Sequence, residues 1–301
     1  MKNKQKATMR AIISIMSLFV VSVLVSSCNK SDDPISGEAV QSASTDATAN
    51  AQTSDAEDMA TSQLNVTDPA GREAGGFDDD RLTCATITRT PNGDKTSGTM
   101  TIDFGTAGCK DSKGNTRKGK IVVAWAGGRW FNPGATHTVS FVGYSINDVK
   151  FSDTDSRLVT NVSTTASPLT FNVVASHNLT WPDGSTGSYS IHHTRQWIRS
   201  TTVTDDKFII SQTIGAANAA SGTNRHGKSY SVQITTPLEF SRSCAISNKV
   251  LKPVKGVRVI TYDTNKTVTI DYGTGTCDNS FTISVNGHTK TVTSKNDGSS
   301  D

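Results

Sequence analysis

The sequence predicts an all-β protein with a single antiparallel domain, built as a sandwich, a barrel or an extended meander after a signal peptide and a disordered tether. From residue 82 onward, short runs alternate between apolar and polar residues, which is the pattern of strands with one buried face. Gly-containing turn dipeptides separate these runs, and no amphipathic helical pattern of useful length interrupts them. About a dozen strands in one domain fit this spacing.

The N-terminus has the composition of a secretion signal. Residues 1–10 carry four basic side chains and no acid, and residues 11–25, "AIISIMSLFVVSVLV", are uncharged and almost wholly apolar. This run of 15 residues is shorter than the ~20 that a membrane-spanning helix needs. We therefore interpret residues 1–27 as a cleaved signal peptide.

Cys28 is the predicted end of the mature chain. The stretch "VSSC" at residues 25–28 resembles the bacterial lipobox, in which the Cys is acylated after cleavage, and the alternative is a plain secretory signal that happens to be cut near a Cys. Each buried methylene of the acyl chains contributes about 0.8 kcal/mol to membrane binding. We expect an outer-membrane lipoprotein of the bacterial cell envelope, and Asp32 and Asp33 resemble the short acidic signal that directs such proteins to the cell surface.

Residues 28–80 are predicted to be an acidic, flexible tether. They are rich in Ser, Thr, Ala, Asp and Gly, and residues 29–80 hold 12 acidic and 2 basic side chains. A short helix over residues 54–64, capped by Ser54 and Glu57, has too little apolar surface to be stable alone. Residues 81–301 hold 24 basic and 15 acidic side chains, so the body attracts anionic surfaces or simply balances its own tail.

Three segments are the clearest strands of the body. "TMTIDF" at residues 99–104, "TVTIDY" at 267–272 and "FTISV" at 281–285 each place three large apolar side chains on one face. Turns are predicted at Asn92-Gly93, Pro133-Gly134, Asp183-Gly184, His226-Gly227 and Asn286-Gly287.

A repeat organises the cysteines. Residues 99–109 align without gaps to residues 267–277, with identity at 7 of 11 positions, and each copy ends in a Cys and has another Cys upstream. The repeat favours disulfides Cys84–Cys109 and Cys244–Cys277 among the three possible pairings, each contributing about 3 kcal/mol. Zinc is the rival interpretation, but neither pair has CxxC spacing. We expect the two units, residues 84–109 and 244–277, to occupy related places in one β-body.

These segments resemble a group of uncharacterised Bacteroidota lipoproteins with a repeated T-I-D-F/Y-G-x-x-x-C motif. The resemblance spans residues 84 to about 293 and includes "TIDFGTAGCKDSKGNTRKGKIVV", "WPDGSTGSYSIHHTRQWIRS", "SGTNRHGKSYSVQITTPL" and "TIDYGTGTCDN". It implies an envelope location and a β-rich fold, and it implies no reaction.

The candidates for catalysis and metal binding are weak. Asp103 and Asp271 hold matching positions in the repeat and form a potential acid/base pair, although solvated strand ends or turn caps explain them as well. Residues 78–80 and 111–115 offer oxygens for calcium without an EF-hand spacing. His192 and His193 point to opposite faces of a strand, and nucleophile-elbow, P-loop, GxGxxG and HExxH motifs are absent from the sequence. We predict no catalytic residue, no cofactor, no metal and no enzymatic activity.

The strongest binding candidate is the stretch from residue 181 to 199. A Trp precedes a Pro-Asp-Gly turn, and alternate residues of the next strand then place His, Arg and Trp on one face. Such a face suits anionic sugars, because the rings stack on the sugar and the guanidinium pairs with carboxylate or sulfate. The alternative is a Trp packed in the core with Arg covering its edge. The predicted ligand-binding residues are Trp181, His193, Arg195, Trp197 and Arg225.

We therefore expect an envelope-anchored lipoprotein that acts as a binding or structural module. Its expected partners are the membrane, through the lipid on Cys28, and an anionic glycan, an envelope polymer or an outer-membrane protein. We expect no nucleic-acid partner. The alternatives are a hydrolase of glycans or envelope polymers with dispersed carboxylates, and a subunit of an outer-membrane assembly.

Overall fold

The fold is one large antiparallel sheet with a helix inside it. A computed structural model of the protein describes residues 35, 37–64, 79–164 and 168–300. Within these residues there are sixteen strands and two α-helices, which confirms the predicted β-rich single domain. The signal peptide, Cys28, Asp78 and the tether residues 28–34 and 65–78 lie outside the described residues.

The elements have the following bounds: α1 (Glu38–Leu64), β1 (Thr86–Pro91), β2 (Gly98–Asp103), β3 (Cys109–Lys110), β4 (Thr116–Ala126), β5 (Thr136–Ile146), β6 (Val149–Phe151), β7 (Ser156–Asn161), β8 (Leu169–Thr180), β9 (Thr186–Ile198), β10 (Lys207–Gln212), β11 (Ala220–Thr223), β12 (Ser229–Ser241), α2 (Arg242–Asn248), β13 (Lys255–Tyr262), β14 (Lys266–Thr274), β15 (Ser280–Val285) and β16 (His288–Thr293). Two single 3-10 turns, Asp80–Leu82 and Val203–Asp205, precede β1 and β10.

The sheet is a meander in which strands that follow each other along the chain are mostly neighbours. The hydrogen-bonded order is β1-β2-β4-β5-β6-β8-β9-β10-β12-β13-β14-β15-β16, and β3, β7 and β11 pair beside this path. Along most strands the side chains alternate between the two faces; on β9 every second residue from Gly187 to Trp197 is buried. This alternation gives the sheet one face toward the interior and one toward solvent.

The prediction of a flexible tether is wrong over residues 38–64, which form helix α1. These 27 residues form a continuous helix, and Ser54 and Glu57 are interior positions of it and not caps. Nineteen of them are buried, on every side of the helix. The helix has no apolar stripe, and its Ala, Ser and Thr side chains are small enough for the sheet to approach closely from all directions. An amphipathic pattern is therefore missing from the sequence although the helix lies in the core.

The sheet curves around α1. The helix contacts β4 and β5 from one half of the strand order and β13, β14 and β15 from the other, with β9 between them. The C-terminal residues also pack on it: Ser300 Oγ lies 3.0 Å from Ser44 Oγ, and Asp297 accepts a hydrogen bond of 2.8 Å from Asn147. The C-terminal segment thus joins the helix to the turn between β5 and β6.

Both predicted disulfides, Cys84–Cys109 and Cys244–Cys277, are present. The two copies of the repeat have corresponding surroundings as well. In each copy the central strand, β2 or β14, pairs with the strand before it and with the next long strand after it. Asp103 and Asp271 each accept a hydrogen bond of 2.8 Å from the backbone N–H two residues later. The two units are therefore equivalent hairpins near opposite edges of one sheet.

Neither α-helix of the described part is apolar over the length that a bilayer crossing requires.

Candidate functional site

The inward face of the sheet carries buried arginines. They occupy strand positions that alternate in register with buried apolar residues, so each guanidinium points toward α1 and away from solvent. Such residues are rarely buried unless they are paired. The four strand arginines are Arg117 on β4, Arg157 on β7, Arg195 on β9 and Arg258 on β13, and none is more than 6% exposed.

The acids of helix α1 pair with these arginines. Asp55 Oδ2 lies 2.8 Å from Arg117 Nη1, and Glu57 Oε2 lies 2.7 Å from Arg157 Nε. Glu57 also pairs with Arg195. Two residues that are two positions apart in a helix are separated by roughly 200° around its axis. Asp55 and Glu57 therefore face opposite walls of the sheet. The ion pairs hold the helix from both sides.

Glu57 is charged in the folded protein. Burial alone raises the pKa of this carboxyl, but attraction by Arg157 and Arg195 outweighs burial and holds the pKa well below its usual range. His137 Nε2, 3.7 Å away, adds to this effect.

Asp46 behaves differently although it is also paired. Its Oδ2 lies 2.7 Å from Arg258 Nη1, yet burial raises the pKa of Asp46 to about 6 because the single arginine offsets only part of the desolvation. Asp46 is therefore the helix acid whose charge changes closest to neutral pH.

Three buried histidines complete the interior. Burial lowers the pKa of His137, of His177 and of His193, and with Arg157 nearby the pKa of His177 falls to about 3. They are neutral at physiological pH, so they add polar atoms to the interior without adding charge.

A pocket opens beside the C-terminal half of α1. One face of the helix, residues 54, 55, 58 and 61, forms one wall, and the cavity measures about 620 Å³ including its open mouth. The space inside it that a water-sized molecule can reach is about 60 Å³, which has room for a few water-sized groups and is less than the ~300 Å³ at the lower end of typical small-molecule sites. The opposite wall is apolar and comes from β10, β12 and the loop after α2. We call this cavity the arginine pocket, after the four arginines that line it: Arg81, Arg157, Arg195 and Arg242.

Two N–H donors of the arginine pocket have no hydrogen-bond partner among the described residues. They are Nη1 of Arg157 and Nε of Arg195, and both side chains are more than nine-tenths buried. A buried donor without a partner costs about 1–3 kcal/mol. Both nitrogens are also closed off from solvent, so this cost comes from burying the two side chains.

Of the two acids that line the arginine pocket, Asp58 is partly exposed and Asp55 is buried. Asp58 lies 2.6 Å from Arg81 and 3.2 Å from Arg242. Burial raises its pKa, but attraction by Arg242 and Arg81 outweighs burial and brings the pKa to about 2. A carboxylate is thus already bound by two of the pocket's guanidinium groups.

The sequence correctly predicts that the binding candidates of β9 share one side of the strand, but it wrongly predicts that this side is exposed to solvent. His193, Arg195 and Trp197 do share one side of β9, but that side is buried. Trp197 donates a 3.0 Å hydrogen bond to Asp206 and packs 4.7 Å from the Trp130 ring, as in the alternative of a core Trp. Of the predicted residues only Arg195 lines the arginine pocket.

Trp181 and Arg225 lie elsewhere, beside the first turns of α1. The Arg225 guanidinium lies 5.0 Å from the centre of the buried Trp181 ring and is held by Asp183 at 2.5 Å. These two residues form a packed pair at the opposite end of the helix from the arginine pocket, and so the predicted site divides into two.

The other three arginines of the pocket, Arg81, Arg157 and Arg242, were not predicted from the sequence. Arg81 and Arg242 flank strands and belong to no sequence motif. One local feature of the sequence could have indicated that Arg157 is buried: it shares the inward face of β7 with Val159 and Asn161. An arginine at an inward position of an alternating strand requires a buried acid, and here that acid is on a helix 100 residues away in sequence.

The other candidates have structural roles. Asp103 and Asp271 are separate turn caps, and Asp103 also pairs with Lys120 at 3.0 Å. Asp111 accepts backbone hydrogen bonds within its own turn and a 2.9 Å bond from Arg117. Over residues 35–64, 79–164 and 168–300, as far as they are described, no group of three His, Cys, Asp or Glu side chains is placed to hold a metal.

Comparison of the chain with protein-family models, with curated proteins and with solved structures gives no match.

Proposed function

We propose that this protein is an envelope-anchored lipoprotein that binds an anionic component of the envelope in the arginine pocket. The observation that carries the proposal is the charge of the pocket lining, in which four arginines stand beside only two carboxylates, those of Asp55 and Asp58. Charged groups are buried without full hydrogen bonding at a cost to stability, and binding sites are where proteins accept that cost.

The anchor supports this role. Cys28 precedes the first residue of α1, Glu38, by only ten positions, so the acylated end is at most about 35 Å from the helix. The body is therefore held near the membrane surface, where envelope components are concentrated. The family resemblance of residues 84–293 to Bacteroidota lipoproteins agrees with the same location.

The two alternative functions receive less support. A hydrolase of the predicted kind needs paired carboxylates, whereas Asp103 and Asp271 each cap a turn near opposite edges of the sheet.

The second alternative is a subunit of an outer-membrane assembly. Docking of such a partner through a sheet edge is favoured by a long apolar edge strand. The edge strands β1 and β16 are mostly exposed and polar, and β1 also carries Pro91, which blunts edge pairing.

The test is a ligand screen on the full lipoprotein in phospholipid nanodiscs. Anionic candidates, including sulfated oligosaccharides and fatty carboxylates, are expected to raise the melting temperature of the protein. Arg242→Gln, in the pocket, is expected to abolish these shifts, and Arg225→Gln, at the far end of α1, is the matched control. Shifts that persist in Arg242→Gln, or an absence of shifts with every anion, contradict the proposal.

A further inference from the structure

The loop between β10 and β11, residues 213–219, carries the most exposed large apolar side chain of the described residues. Ile214 is fully exposed (101%), whereas the next most exposed such residues, Val142 and Val174, are half covered, at 50% and 49%. Val142 and Val174 lie on strands, where neighbouring side chains of the sheet cover part of their surface. Ile214 lies at the tip of a loop, and water surrounds its whole side chain.

The turn at this tip does not require an isoleucine. The Ala216 N–H donates a 3.0 Å hydrogen bond to the Thr213 carbonyl, and Gly215 has a φ of +81°. This is the arrangement of a type II turn, which needs a glycine at the place of Gly215 and is often built with a proline at the place of Ile214. The local fold therefore gives no reason for an apolar side chain at residue 214.

The loop is fixed to the sheet. Gln212 Nε2 donates a 2.7 Å hydrogen bond to the Ala216 carbonyl. Ala219 is bonded on both sides, through its N–H to the carbonyl of Val232 at 2.8 Å and through its carbonyl to the N–H of His192 at 2.9 Å. A fixed loop loses little conformational freedom when its tip enters another phase.

The loop and its surroundings are uncharged. The sequence has no acidic or basic side chain from Phe208 to Asn224, whereas the turns at residues 225–228 and 263–266 both carry charges. Transfer of a charged group out of water is costly, so charged turns stay in solvent. The β10–β11 loop can leave water without that cost.

The loop lies close to the start of helix α1. Strand β11, which is about 13 Å long, leads from the loop to Asn224. The Asn224 side chain donates hydrogen bonds to Glu38 and, at 2.9 Å, to Ser42 in the first turns of α1. The chain between Cys28 and Ile35 spans at most about 25 Å. A bilayer that holds a lipid on Cys28 is therefore within reach of the loop.

We propose that the β10–β11 loop is a second membrane contact, in which Ile214 inserts into the boundary between lipid headgroups and acyl chains. The inference rests on the proposed lipid on Cys28 and does not involve the arginine pocket. Insertion to about 5–10 Å needs only an apolar side chain without neighbouring charge, which this loop supplies. The lipid holds the protein at the membrane, and the loop fixes which side of the body faces it.

A fluorophore in the loop tests the contact. Ala217→Cys introduces a free thiol for the label, since the four body cysteines form disulfides and Cys28 is the proposed lipid site. The full lipoprotein is placed in phosphatidylcholine vesicles with a nitroxide quencher near the top of the acyl chain. The label is expected to lose most of its fluorescence. Ile214→Asn should restore it, and Val142→Asn, which changes an exposed valine of the sheet, should not.

A label at the other end of α1 is the positional control. Arg89 of β1 donates a 2.9 Å hydrogen bond to the Gln63 carbonyl, and the helix of 27 residues is about 40 Å long. Asp94→Cys places the label in the exposed turn that follows β1, where it should keep its fluorescence. Circular dichroism of Ile214→Asn should match that of the wild type, because the side chain is fully exposed.

The results separate this inference from the proposed function. If the protein floats with the vesicles but the residue-217 label is not quenched, the membrane contact is wrong and the lipid anchor stands. Quenching that survives Ile214→Asn overturns the role of Ile214. A chain that does not float with vesicles refutes both the anchor and the contact, while anion-induced shifts that Arg242→Gln abolishes would still support the arginine pocket.

Discussion

Glu57 on helix α1 and Arg157 on strand β7 form an ion pair of 2.7 Å with both side chains almost wholly buried. Since Glu57 also pairs with Arg195, one helix carboxylate neutralises two sheet arginines in the middle of the protein. The stability of the fold therefore depends on charge balance between the helix and the sheet.

Glu57→Gln is expected to destabilise the protein strongly. The substitution keeps the shape of the side chain but leaves the charges of Arg157 and Arg195 buried without a carboxylate, which costs about 3–5 kcal/mol in the free energy of unfolding. Denaturant unfolding of the full chain measures this loss. The control is Glu239→Gln, which breaks the partly exposed pair with Lys207 and should cost about 1 kcal/mol or less. Equal losses in the two variants would contradict the role of Glu57.

The protein is expected to lose stability in mild acid through His177. Its folded-state pKa of about 3 lies below the ordinary value of 6.5, so below pH 6.5 the unfolded chain binds a proton that the folded chain does not. The free energy of unfolding then falls by up to about 1.4 kcal/mol per pH unit between these values, and His137 and His193 act in the same direction. Unfolding curves from pH 7 to 4 test this.

Asp46 opposes this pH dependence. Its folded pKa of about 6 lies above the ordinary 3.8, so its contribution favours the folded state at low pH and is lost as pH rises from about 4 to 6. Burial also raises the pKa of Asp155, which therefore acts in the same direction as Asp46. We expect the three histidines to outweigh these two acids. His177→Asn should flatten the net slope, and His192→Asn, exposed on β9, should leave it unchanged. A wild-type stability that is constant from pH 7 to 4 would refute the prediction.

Acylation at Cys28 is tested by metabolic labelling. Cells that express the wild-type chain should incorporate labelled palmitate into it, and Cys28→Ala should abolish incorporation, because it removes the predicted site of lipid attachment. The double variant Cys84→Ala/Cys109→Ala removes one disulfide and should still be labelled. Label that persists in Cys28→Ala shows that lipid is attached elsewhere, and a wild-type chain without label contradicts lipidation.

Gly298→Ala tests how the C-terminal segment packs on the helix. A Cβ at residue 298 would lie 2.3 Å from the Ala51 Cβ, and the glycine has a φ of +79°. We expect a loss of about 1–3 kcal/mol in the free energy of unfolding beyond that of Gly287→Ala. Gly287 has a similar φ of +83° with no atom near its Cβ position, so it isolates the contact from the backbone strain. Equal losses would mean that Ala51 moves aside.

Local alternation and the repeat were sufficient to predict much of the sheet. Met100, Ile102 and Phe104 are buried on one face as predicted, and the paired Cys units form the predicted disulfides. The face of β9 was also correct. Alternation alone, however, does not distinguish a face that binds a ligand from a face that packs on the interior.

Helix α1 could not be predicted from its own residues. Its stability comes from partners such as Arg117 and Arg258, which lie more than 60 and 200 positions away from their acids Asp55 and Asp46. An Ala-, Ser- and Asp-rich segment with no apolar stripe has the composition of a disordered chain until these arginines surround it. The arginine pocket inherits this difficulty, because its walls come from the helix, the strands and the loop after α2 at once.

The burial of α1 has a mechanical consequence for a protein anchored at its N-terminus. A force applied at Cys28 would reach the described body at Ile35, which is buried in the core, and then at α1, the helix that the sheet encloses. To yield, the protein must draw that helix out of the sheet and break the buried pairs of Asp46, Asp55 and Glu57 together. A lipid anchor on Cys28, as proposed above, would therefore bear load along the core of the domain, and shortening the chain past residue 38 would remove the interior of the protein and not a spacer.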